Sequence, residues 1–102
     1  MKRKVRWSRA ALEDLKEQVA WIARDNPATA RRVATRIRAI GGNLSDFATG
    51  HPGRVEGTYE KSVSGLPYIV AYAIDRTGDA ETIVVLHVIH AARDWRAGEW
   101  PG

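Results

Sequence analysis

The sequence predicts an α+β domain of order β-α-α-β-β-β. A helical hairpin packs on one face of a small antiparallel sheet, with a short C-terminal helix or tail to follow. Three observations carry that expectation. Apolar residues recur at helical spacing from Leu12 to Leu44, with one interruption at Asn26-Pro27. Two strand-length apolar runs, Tyr68 to Asp75 and Thr82 to His90, are separated by a short turn that begins Arg76-Thr77-Gly78-Asp79. Finally, 102 residues suffice for one domain with a modest core but not for two, so 1–102 is read as a single unit.

Lys4 to Trp7 is a short first strand, and Ser8 suits the N-cap of the helix behind it. Leu12, Leu15, Val19, Ile22 and Ala23 then fall on one helical face, with Glu13, Glu17 and Arg24 opposite. Pro27 cannot extend that helix but fits the opening position of the next. In the second helix Ala30, Val33, Ile37, Ile40 and Leu44 form the apolar stripe, and Gly41-Gly42 weaken its last turns. Three strands complete the pattern: Glu56 to Val63, Tyr68 to Asp75 and Thr82 to His90. Their connections are short enough for antiparallel hairpins.

The last two strands are apolar on both faces. Tyr68, Val70, Tyr72 and Ile74 oppose Ile69, Ala71 and Ala73, while Ile83, Val85 and Ile89 oppose Val84, Leu86 and Val88. A sheet with helices on one side ordinarily shows water a polar second face. A partner's apolar segment, or a second copy of the chain, is therefore expected as cover. Trp21 lies well off the first helix's core stripe, either as an interface anchor or lying flat over neighbouring side chains.

Composition narrows the chemistry. Without cysteine there is neither a disulfide framework nor a thiolate metal site. The basic start Met-Lys-Arg-Lys lacks a signal peptide's apolar run, and no stretch approaches the roughly 20 apolar residues of a membrane span. The expected setting is soluble and cytoplasmic. The net charge of +4 is uneven: residues 1–40 hold eleven Lys/Arg against four Asp/Glu, and residues 41–102 hold five against eight. A basic first half attracts a polyanion or an acidic protein.

Several segments share their order and spacing with a known family. They are Val5-Arg6-Trp7-Ser8 followed by Ala11, Leu12, Asp14 and Leu15; Asp25-Asn26-Pro27; Gly53-Arg54-Val55 with Gly57-Thr58-Tyr59-Glu60; Leu66 to Tyr72; and His90-Ala91-Ala92-Arg93-Asp94-Trp95. Together they resemble the ParE/RelE superfamily of small bacterial toxins, and ParE most. The resemblance implies a toxin of a type II toxin–antitoxin pair that binds DNA gyrase without catalysis. It also implies a complex with a ParD-like, ribbon-helix-helix antitoxin, with no cofactor and no direct specific contact between this chain and nucleic acid. On that reading Arg93, Trp95 and His90 engage the target. Trp21, Arg32, Arg36, Arg54, Tyr59, Tyr68 and Tyr72 are the candidates for holding an acidic, amphipathic antitoxin segment.

The alternative within the superfamily is a ribosome-dependent messenger RNA endonuclease of the RelE type. It would need an activated 2′-hydroxyl, cations for the phosphorane charge and an acid for the leaving oxygen, from among Glu60, Lys61, Arg54, His87, His90 and Arg93. His87 and His90 differ by an odd number on one strand, so they cannot converge as an acid–base pair. The tail has no tyrosine after Tyr72, although Trp95 or Trp100 could stack on a base. Histidines 51, 87 and 90 lack metal-ligand spacing.

Overall fold

A computed structural model of the chain describes residues 3–46, 50–53, 55–78 and 81–91, with residues 45 and 46 described by their backbone alone. It contains β1 (Lys4–Trp7), α1 (Arg9–Ala23), α2 (Pro27–Asp46), β2 (His51–Pro52), β3 (Tyr59–Ser62), β4 (Tyr68–Asp75) and β5 (Thr82–His90). The strands form one sheet in the order β1-β5-β4-β3-β2. Pairing is antiparallel from β5 to β2, as the short connections require. β1 instead adds to β5 in parallel, Lys4 opposite Thr82 and Trp7 opposite Val85. The whole chain between them serves as the crossover that parallel strands need.

Local chemistry sets each boundary. The Ser8 hydroxyl accepts the Ala11 N–H at 3.0 Å and donates to Leu86 O at 3.0 Å, so one side chain caps α1 and ties it to β5. Asn26 ends one helix and starts the other: its N–H donates to Ile22 O, and its Oδ1 accepts the Thr29 N–H. The core stripe of α1 is Ala11, Leu15, Val19 and Ile22. Leu12, expected within it, is 48% exposed, because the helix turns its Ala11 flank to the sheet. α2 nevertheless continues through Gly41-Gly42 to Asp46. A Cβ on Gly41 would stand 2.7 Å from Trp7 Cζ2, so the glycine lets β1's indole lie directly on the helix. The second expected strand begins at Tyr59 rather than Glu56, because Glu56-Gly57 forms a turn in which Gly57 takes φ of +83°.

The face assignment along β5 also changes. Ala71 pairs with His87 but Tyr72 pairs with Val85, so Leu86 is an extra residue, a β-bulge. Beyond it the alternation inverts. Val88 joins Ile83, Val85, Tyr68, Val70 and Tyr72 under the helices, while Ile89 joins Ala71 on the far side. Part of that far side is closed within the chain: Ala71, Val84 and Ile89 are buried and Val55 packs against Ala71 and Ile89, while Ile69 and Ala73 are only half-buried. Among the described residues no helix is long and apolar enough to cross a membrane.

Candidate partner-binding site

The sequence-expected antitoxin residues separate into two environments. Tyr68 and Tyr72 face the helices and are buried, so neither ring is offered to a partner as expected. Tyr72 stacks on half-buried Tyr59 with ring centres 5.5 Å apart, and its hydroxyl accepts the Gly50 N–H at 2.9 Å. Burial pushes both the Tyr68 and the Tyr72 hydroxyl above the ordinary phenol value. Tyr59, Arg32, Arg36 and Trp21 do reach the surface. Trp21 is 68% exposed, and the Arg24 guanidinium lies 5.3 Å from its ring centre. Arg54 lies outside the described residues, as do Arg93 and Trp95.

Arg32 and Arg36 share the flank of α2 that faces the β3–β4 turn. With Thr29, Val33 and Leu66 they line a cavity of about 250 Å³. Arg36 Nη2 donates to Ser64 O at 2.5 Å, and Arg32 Nη2 to the Thr29 hydroxyl at 3.3 Å. Thr29 was not singled out from the sequence, and Leu66 only as the start of a family-like segment. The i, i+3, i+7 spacing of Thr29, Arg32 and Arg36 would have placed those three together, whereas bringing Leu66 to them takes the folded sheet.

On the other side of the molecule β5 outruns β1 after Val85, and α1 covers the exposed strand edge. Asp14 is the residue that sequence reasoning missed. Its Oδ2 accepts the Val88 N–H at 3.0 Å and stands 2.9 Å from His87 Nδ1. An ionised carboxylate only accepts, so Nδ1 is assigned as the donor. This pair locks α1 onto the sheet and gives His87 a structural place. His90 meets Tyr68 edge-on, ring centres 5.3 Å apart, and its pairing with Tyr68 sets it on the opposite face from His87, which pairs with Ala71. Glu60 is buried, opposite Ala71 on β4. Among the described residues no three His, Cys, Asp or Glu side chains cluster as a metal site.

Comparison with known proteins agrees with this architecture. The family model described as the ParE toxin of the type II toxin–antitoxin system parDE matches residues 5–95. The Sinorhizobium fredii protein Y4kP, whose name contains the word toxin, is 38% identical over 95 residues. The match takes in 92% of this chain and 94% of that protein. Among solved structures, a chain of the chromosomal ParDE system of P. aeruginosa superposes with a TM-score of 0.75 at 18% identity, covering 87% of this chain and 96% of its own. A YoeB/ParE toxin from Agrobacterium tumefaciens gives 0.60 at 13% identity, covering 85% and 97%. A chain of the RelBE2 toxin–antitoxin complex of Mycobacterium tuberculosis gives 0.58 at 26% identity, covering 88% and 99%.

Proposed function

Because the chain belongs to the ParE toxin family of type II toxin–antitoxin systems, we propose that it acts in the cytoplasm as a toxin that binds DNA gyrase and stalls it with broken DNA. Its action is binding rather than catalysis, and a ParD-like ribbon-helix-helix antitoxin holds it inactive in a hetero-oligomer. The observation that carries the reading is the family match over residues 5–95, on a fold shared with the ParDE chain. The site chemistry supports it: His87 is bound to Asp14, His90 lies on the opposite face, and both buried tyrosines serve packing. Arg93, Trp95 and His90 remain the proposed target contacts. Purified protein assayed against gyrase supercoiling, and in parallel against messenger RNA in a translating extract, tests the reading. Blocked supercoiling with intact transcripts is expected.

The likeness to the RelBE2 chain gives a second reading, ribosome-dependent RNA cleavage, a definite place in that test. Cleaved transcripts with unhindered supercoiling would install it instead. A short neighbouring reading frame encoding a ribbon-helix-helix protein would support the antitoxin under both readings, so it cannot choose between them.

A further inference from the structure

Resting on the antitoxin reading but naming how that partner is recognised, we propose that the cavity between α2 and the β3–β4 turn is an anchor pocket for one carboxylate of the antitoxin. Arg32 and Arg36 grip the acid, and an adjoining apolar side chain of the partner sits on half-buried Leu66, with buried Val33 as the cavity's floor.

Four features lead there. Both guanidiniums are exposed at the rim, and among the described residues neither lies in an ion pair with a carboxylate. Each is nonetheless steered by one hydrogen bond, to Ser64 O or to the Thr29 hydroxyl, which leaves further N–H donors of each fork for a ligand. Gly65 makes this possible on the sheet side, since its φ of +77° shapes the turn that presents Ser64 O to Arg36. The cavity's 250 Å³ is below the range of sites for drug-sized molecules but ample for one or two side chains. Charge and polarity then select the occupant. The first 40 residues carry a surplus of cations, which draws an acidic segment. A nucleic-acid backbone would answer the arginines but leave the half-buried Leu66 side chain unused, so the pairing of acid with apolar neighbour favours a peptide.

The test measures affinity for the protein encoded by the neighbouring frame, at low and at 0.5 M salt. R32A/R36A is expected to weaken binding at least tenfold and to flatten its salt dependence. R31A/R38A removes equal charge from exposed positions on the same helix and is expected to change affinity less than threefold. R32K/R36K keeps the charge but loses the planar fork, and should fall between wild type and the alanine pair; it decides the matter if the alanine pair fails to fold. Equal losses in R32A/R36A and R31A/R38A would reduce the effect to general attraction and overturn the pocket, as would binding by R32A/R36A within twofold of wild type. In either case the toxin–antitoxin reading stands. Wild-type chain that binds no such protein would remove that reading and the pocket with it. Duplex DNA that competes with the antitoxin for wild type, but not for R32A/R36A, would reassign the pocket to nucleic acid.

Discussion

At the residue scale, Asp14 is expected to weigh heavily in stability. Asp14 supplies the acceptor for both His87 Nδ1 and the Val88 N–H at the edge of β5. Asp14→Ala is expected to cost about 1–3 kcal/mol, the usual penalty for stranding a buried donor, read as a melting temperature lower by about 4–8 °C for each kcal/mol. Asp14→Asn keeps an acceptor for one of the two donors and should lie between. A melting temperature unchanged in Asp14→Ala would show that water replaces the carboxylate. The adjacent glycines of α2 make a matched pair. Gly41→Ala drives a methyl into Trp7, and overpacking of this kind costs about 1–3 kcal/mol. Gly42→Ala meets nothing within 4 Å on an exposed helix face, so it is expected to stabilise by about 0.5–1 kcal/mol. Thermal unfolding of the two variants distinguishes them.

At the scale of elements, an ion-pair clamp ties β1, β5 and β4 together at one end of the sheet. Glu81 at the start of β5 takes Arg3 Nε at 2.7 Å and Arg76 Nε at 2.9 Å. Arg3 first, then Arg76, hold its carboxyl below the usual glutamate value. A depressed folded-state value means that the contribution is present above the unfolded value, about 4.3, and is lost as pH falls through the folded one. Glu81→Gln is therefore expected to shrink, in denaturant titrations, the loss of stability on acidification below about pH 4.5. It should not abolish that loss, because the Thr77 hydroxyl and N–H lower Asp75 in the same direction. A variant with an unchanged acid limb would show the clamp to be inert. The two helices, their break at Asn26-Pro27 and the antiparallel strands were legible in the sequence, because helical period and turn chemistry are local. The parallel partner of β1 was not, since the short strand Lys4–Trp7 carries no mark of which edge it joins. Leu86 was equally silent: a bulge is a property of the pairing, and period-two counting ran through it and misplaced Val88 and Ile89. The candidate site divides the same way. Trp21, Arg32 and Arg36 are exposed and Tyr59 is half-buried, whereas the rings of Tyr68 and Tyr72 are buried, and a tyrosine's hydroxyl does not reveal in the sequence which of these its ring will be.

For the molecule as a whole, induced expression without antitoxin is expected to arrest growth with a DNA-damage response. Arg93→Ala should relieve that arrest while melting temperature and antitoxin affinity stay near wild type. A variant that melts far below wild type would make Arg93 a structural residue, and undiminished toxicity would remove it from the target contact. The pairing of β1 with β5 adds a matter of timing. Lys4 bonds into the sheet beside Thr82, and Arg3 meets Glu81 across 78 positions of sequence. Such non-local closure waits for the later partner to exist. At roughly 5–20 residues per second of synthesis, about 4–16 s separate the emergence of β1 from that of β5. Throughout that interval the helical hairpin, with Arg32 and Arg36 on it, precedes the finished sheet. A nascent toxin thus remains incomplete until β5 has emerged, and an antitoxin made beforehand has the whole of that delay in which to arrive.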